Sequence, residues 1–211
     1  MNRSKWSDVV LIKTRLQPLP WYSLTRDSDE PLRQKQMQPT IILRQWNDSD
    51  MEAFASMNAD AEVMRFFARR WTAEESREAM QRFRQGIEQR GWGLWAVEVD
   101  GDFAGFTGLS EPKFSAHFTP CVEVGWRFRQ EYWGRGIAFA AAQQAVDYAF
   151  SVLRLKQLVS FTTASNLRSR KLMERLGFTH DPSEDFMHPL LEADHPLRHH
   201  VLYRKWADSD D

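Results

Sequence analysis

Apolar and polar positions first settle into a regular pattern at Thr40, where Thr40-Ile41-Ile42-Leu43-Arg44 reads as a short strand. Ser49-Asp50-Met51-Glu52 then has the spacing of a capping box and predicts the start of a helix. A second box, Thr72-Ala73-Glu74-Glu75, opens a charged amphipathic helix running to about Gln89. Trp92 to Val99 and Phe103 to Leu109 read as strands joined through Asp100-Gly101, a dipeptide that accepts the positive φ of a tight hairpin turn. After a loop holding Pro112 and Pro120, Cys121 to Phe128 forms another strand, and Gly134-Arg135-Gly136 leads into an alanine-rich helix from Ile137 to about Leu153. A strand around Gln157 to Thr162, a helix from Leu167 to Leu176 and a strand from His199 to Trp206 complete the order. Strands and helices in this sequence predict an α/β (α+β) fold, a mixed sheet flanked by helices.

Met1 to Pro39 breaks the pattern with Pro18, Pro20, Pro31 and Pro39 and the polar run Arg33-Gln34-Lys35-Gln36. The chain of 211 residues therefore divides into an N-terminal extension (1–39), one domain (40–206) and a short acidic tail (207–211). The extension carries seven basic residues against four acidic ones, the charge balance of a solvated arm. Trp6, Val9, Val10, Leu11, Ile12, Trp21 and Tyr22 are too apolar for a free tail, so part of it is expected to dock on the body or on a second copy in a homodimer. With 42% apolar and 27% charged residues the chain has a globular composition, and a net charge of -1 argues against nucleic acid as a partner. A lone Cys121 permits no internal disulfide and reads as a small buried hydrophobe. No apolar stretch approaches the ~18 residues of a membrane span, and no apolar core follows Arg3 and Lys5, so a cytoplasmic protein without a membrane partner is expected.

Chemistry concentrates between Val122 and Ala138, where a strand delivers the chain into a glycine-containing loop that opens a helix. Backbone N–H groups and the positive end of the helix dipole then converge on one spot, which suits a phosphate. Gly134 and Gly136 allow close approach, and Arg129 and Arg135 can add charge-assisted bonds. No G-x-x-x-x-G-K-[ST] occurs, and Gly134-Arg135-Gly136 lacks the third glycine of the dinucleotide fingerprint. The pair His199-His200 does not suggest a metal, because adjacent residues of a strand face opposite sides and no cysteine or carboxylate cluster completes a site.

Trp133-Gly134-Arg135-Gly136-Ile137-Ala138 resembles the acyl-CoA-binding motif R/Q-x-x-G-x-G/A of the GNAT N-acetyltransferases, with Trp133 in place of the usual Arg or Gln. Downstream, the segment from Asn166 to Phe178 resembles the N-x-x-S…G-F stretch of the same superfamily. Glu131-Tyr132-Trp133-Gly134-Arg135-Gly136, Glu123-Val124-Gly125-Trp126 and the segments Asp185 to Pro189 and His199 to Arg204 are similar to the branch that includes the RimJ/RimL ribosomal-protein alanine acetyltransferases. The resemblance implies a splayed, mostly antiparallel sheet, and transfer of acetyl from acetyl-CoA to a primary amine by direct attack. Backbone amides from Gly134 to Ala138 would hold the pyrophosphate, Trp126, Arg127 and Phe128 would line the pantetheine arm, and Asn166 and Ser169 would meet its thioester end.

Glu123, in an apolar strand beside the implied thioester, is the first choice for the base, with a pKa raised by desolvation; a solvent-facing or arginine-paired Glu is the alternative. Where many relatives carry a thiolate-protonating Tyr, this chain has Met173, which leaves Ser169 as the substitute acid. His188 is a further candidate base or substrate contact. The departure at Met173 also raises a rival reading, a non-catalytic acyl-CoA-binding or regulatory module. Arg65, Arg69 and Arg70, with Phe66, Phe67 and Trp71, read as a helix end with a solvated face or as a grip for an acidic or aromatic substrate.

Overall fold

The computed structural model describes residues 12–15 and 39–207; the remainder of the 1–39 extension and residues 208–211 lie outside the described residues. In chain order the elements are β1 (Ile12–Arg15), β2 (Thr40–Arg44), α1 (Met51–Ala59), α2 (Ala73–Arg90), β3 (Leu94–Val99), β4 (Asp102–Ser110), β5 (Glu123–Phe128), α3 (Ile137–Ser151), β6 (Gln157–Thr163), α4 (Leu167–Arg175), β7 (Thr179–His180), β8 (Phe186–Met187) and β9 (His199–Trp206). The strands form one mixed sheet in the order β1-β2-β3-β4-β5-β6-β9-β7, with β8 also on β9. Every neighbouring pair is antiparallel except β5 and β6. This is the α/β fold that the order of elements predicts.

Local chemistry explains the boundaries. Asp100 and Gly101 both take positive φ, 53° and 98°, which closes the β3–β4 hairpin as expected, and Asp100 Oδ1 also accepts the Thr40 N–H at 2.9 Å. The Thr72 box forms as read: Thr72 N–H donates to Glu75 Oε2 at 2.8 Å, and Glu75 N–H donates back to Thr72 Oγ1 at 3.2 Å. The first box is displaced. Asn47, two residues before Ser49, is the residue whose N–H donates to Asp50 Oδ2, at 2.8 Å. Asp50 is held there by the Arg44 guanidinium, which binds both its oxygens at 2.7 and 2.8 Å and Glu98 Oε2 at 2.7 Å.

That ion cluster fixes the start of α1 against β2 and β3. Asp50 is only 2% exposed, so Arg44→Ala leaves a buried carboxylate without its cation. The expected loss is about 3 kcal/mol, read as a lower urea midpoint at neutral pH.

Alternation along β5 sets the two faces of the sheet. Val124 and Phe128 point into the core shared with α3, whose buried Ala141, Ala142, Ala145 and Ala149 present small side chains to the sheet. Arg127 points the other way, under α1, where Trp46, Phe54, Phe83, Phe103 and Phe106 form an aromatic cluster with ring centroids 4.8–6.2 Å apart.

Candidate active site

β5 and β6 share a single register pair, Glu123 with Val159, and then separate. Val122 C=O accepts the Val159 N–H at 3.0 Å, but the next carbonyl of that edge, Val124 C=O, is taken by the Ser160 hydroxyl at 2.8 Å. By strand parity the backbone of Trp126 faces the opening beyond, as does that of Phe128, whose C=O is filled by the Trp133 indole N–H at 2.9 Å. The Trp126 N–H and C=O therefore border a gap that extended, amide-bearing chains such as pantetheine can fill with hydrogen bonds.

Glu123 stands at the vertex of this gap. Its Oε2 accepts the hydroxyl of Ser110, its register partner on β4, at 3.3 Å, and its Oε1 lies 3.7 Å from where a side chain on Gly125 would begin. Burial pushes the carboxyl up to about 8, while the Ser110 hydrogen bond acts in the opposite direction. A carboxyl that titrates near physiological pH suits proton transfer. No arginine among the described residues pairs with Glu123. Nearby Cys121 is half-buried, and burial followed by the charge of Glu123 raises its thiol to about 11, so it remains protonated.

The glycine loop is open where an anion would sit. Gly134 and Gly136 have φ of 72° and 78°, and a Cβ on either would meet nothing within 4 Å. Gly136 begins α3 without a side-chain cap, and no acidic residue lies in the first turn, so the leading N–H groups from Ile137 onward are unopposed. Ile137 itself is fully buried and anchors the helix, which leaves only its backbone for the cradle. Arg135 is exposed over Tyr132, and Arg168 of α4 stacks on Trp133 at 4.3 Å, adding positive charge on both sides.

On the opposite wall Asn166 caps α4: its Oδ1 accepts the Ser169 N–H at 3.3 Å, and its Nδ2 donates to Thr162 Oγ1 at 3.0 Å. Ser169 Oγ in turn accepts the Trp126 indole N–H at 3.2 Å, so the pair bridges β5 and α4 and leaves the hydroxyl proton of Ser169 to be donated. Met173 is buried in the core, one turn further along the helix.

Three of the residues read from sequence are placed apart from this group. The Arg127 side chain lies on the opposite face from Trp126, and its backbone is turned toward Phe106 of β4, away from the gap. Arg129 donates to the Phe103 C=O at 2.9 Å and pairs with Glu131 at 2.6 Å, facing the start of β4. His188 joins Phe114, Phe161, Phe186 and His200, with ring centroids 4.7–6.4 Å away, and its Nδ1 accepts the Leu190 N–H at 3.3 Å. His199 is exposed and His200 half-buried, on opposite sides of β9, and among the described residues no group of three or more His, Cys, Asp and Glu is placed to hold a metal. Sequence reasoning missed Ser110, whose signal was its place at the end of the strand preceding β5. It also missed Asn58 of α1, whose Oδ1 accepts from Arg127 Nη1 at 2.6 Å and which nothing in its local sequence distinguishes.

A sheet that parts at a buried carboxyl, next to a helix opened by bare glycines, has the architecture of the GNAT acetyltransferase fold. The family model described as Acetyltransferase (GNAT) domain matches residues 40–179, and the chain belongs to that family. It is 30% identical over 133 residues to the FsC-acetyl coenzyme A-N(2)-transacetylase of Aspergillus fumigatus, covering 59% of this chain and 56% of that longer protein. It is 28% identical over 144 residues to the spermidine N(1)-acetyltransferase of Escherichia coli, covering 66% and 73%. Its fold is similar to that of Mycobacterium smegmatis RimJ in complex with CoA-disulfide, with a TM-score of 0.63, 18% identity, and coverage of 80% and 82%. RimJ/RimL-type, spermidine and other acetyltransferases thus all stand among the similar proteins, with none dominant. Among the described residues no helix is long and apolar enough to cross a membrane.

Proposed function

We propose that this chain transfers acetyl from acetyl-CoA to a primary amine, with Glu123 as the base. The observation that carries this reading is the buried Glu123 carboxyl at the only point where β5 and β6 pair. The pyrophosphate rests on the N–H groups from Gly134 to Ala138, and the arm runs along the Trp126 edge toward Ser169. The amine nitrogen forms the new bond to the acetyl carbon, its proton passes to Glu123 directly or through water, and the electron pair of the C–S bond leaves on sulfur. The Ser169 hydroxyl donates to the departing thiolate. With Met173 committed to the core, that position of α4 is packing in this chain, and the serine takes the place of an acid.

His188 sits in the aromatic cluster with Phe114, Phe161 and Phe186 and takes no part in the proton transfer. Burial lowers its pKa, and because Nδ1 accepts a backbone N–H, the neutral ring carries its proton on Nε2. The similar proteins are named for different acceptors, which supports a primary amine as the class.

Mixing protein, acetyl-CoA and a panel of amines tests the reading: CoA release that requires the amine, with a matching acetylated product by mass spectrometry, is expected. Binding of acetyl-CoA without amine-dependent release from any acceptor would instead mark a non-catalytic binding module. Ser169→Ala is expected to lower kcat about tenfold with acetyl-CoA affinity within about twofold, measured by steady-state rates and titration.

A further inference from the structure

Among the described residues Arg127 is a buried cation without a counter-charge. The residue is 6% exposed, and its Nη1 donates to the neutral amide oxygen of Asn58 at 2.6 Å. Its Nε is buried with no partner, and no carboxylate among the described residues forms an ion pair with it. The guanidinium lies 3.9 Å from the Phe67 ring centroid and 4.5 Å from that of Trp71, both in the segment between α1 and α2, with Phe106 beneath at 5.4 Å. Phe67, the nearest of these rings, is itself 39% exposed. Burial alone accounts for a guanidinium pKa pushed down to about 9. A desolvated charge with an orphaned donor is costly unless an anion completes it.

Its place on the sheet says where that anion comes from. Glu123, Gly125 and Arg127 share one face of β5, and the middle residue has no side chain. A Cβ on Gly125 would approach only Glu123 Oε1, so the face between base and guanidinium is bare. Their Cα atoms are ~13 Å apart along the strand, a gap that two long side chains narrow from either end.

We propose that Arg127 binds a carboxylate of the acceptor, so that the enzyme's substrates are amines that also carry an acid, laid over Gly125 with nitrogen toward Glu123. This inference rests on the acetyl-transfer reading and narrows its acceptor class. The segment carrying Phe67 and Trp71, which the sequence reads as a solvated helix end or as a grip for an acidic or aromatic substrate, supplies the aromatic walls, while Arg127 supplies the charge. Arg65 and Arg69 stay at the surface with Glu62 and Glu75.

The test compares amino acids from glycine to 6-aminohexanoate, each against its own carboxamide, with spermidine as a purely cationic amine. Wild type is expected to favour acids over amides by at least about tenfold in kcat/KM for the best chain length. Asn58→Asp places a carboxylate where Arg127 already has a partner. It should raise the thermal midpoint while bringing the acid-to-amide ratio close to one, a combination that a merely structural Arg127 does not produce. Arg127→Lys should keep part of the preference. Equal rates for acids and amides in wild type, or a preference unchanged in Asn58→Asp, would overturn the proposal. A second readout is independent of turnover. The N-acetyl amino acid, and not its amide, should raise the thermal midpoint of wild type but not of Asn58→Asp; a shift of equal size in both proteins would overturn the carboxylate site. If no acceptor releases CoA, the transferase reading fails, and this protection alone decides whether Arg127 binds carboxylates.

Discussion

Glu123→Gln is expected to stabilise the protein at pH 8 while slowing acetyl transfer at least a hundredfold. Both effects have one origin. In the folded chain the carboxyl titrates at about 8, against an ordinary value of 4.5, because ionising it would bury a charge. Between those values the folded state holds a proton that the unfolded state has released, so stability falls as pH rises through the window and the full penalty is present above about 8. Each pH unit of difference weighs about 1.4 kcal/mol, which makes the penalty on the order of 4 kcal/mol at pH 8, where the folded carboxyl is half ionised. Glutamine keeps the shape and carries no charge. Denaturation at pH 5 and pH 8 should therefore show a small difference between the two proteins at the lower pH and a gain of a few kcal/mol for the variant at the higher. Turnover should fall by a factor of about 10² to 10⁴, the usual worth of a positioned base, with little change in acetyl-CoA affinity. A loss of both activity and stability would instead describe a structural residue.

Gly136→Val is expected to weaken acetyl-CoA binding by at least about tenfold without unfolding the chain. The residue has a φ of 78°, where a β-branched side chain is strained by about 1–3 kcal/mol, and a Cβ there meets no protein atom within 4 Å. The new side chain thus fills the space that a pyrophosphate needs over the α3 N-terminus, rather than core space. Titration with acetyl-CoA, with circular dichroism as the check on folding, measures the effect. Unchanged affinity would remove the anion cradle from the account.

Particular residues show which parts of this were legible beforehand. β2 and β9 lie where periodicity puts them, because one edge of each pattern is a sharp change from polar loop to alternating strand. The Thr72 box was readable because both partners are local, whereas the first box shifted to Asn47 because Asp50 answers to Arg44 and, through it, to Glu98 in a distant strand. β7 and β8, at two residues each, carry no periodicity at all and exist only through pairing with β9. β1 arises in a segment read as an extension, since an antiparallel partner, and not its own pattern, makes Ile12–Arg15 a strand. In the candidate site Glu123 could be read from an acid embedded among valines. Trp126, Arg127 and Phe128 could not all turn toward one ligand, because neighbours in a strand point to opposite faces; that parity, applied to Glu123, Gly125 and Arg127, was in the sequence, but the identity of the covering helix was not.

The most direct test of the central claim is the rate of amine-dependent CoA release at subsaturating amine, measured from pH 6 to pH 10 on wild type and Glu123→Gln with the same acceptor. Ionisation of Glu123 predicts that kcat/KM for wild type rises with an inflection near 8, and that this inflection disappears in the variant, leaving only the titration of the amine itself. A variant that retains the full rate and the same inflection would contradict the assignment of Glu123 as the base.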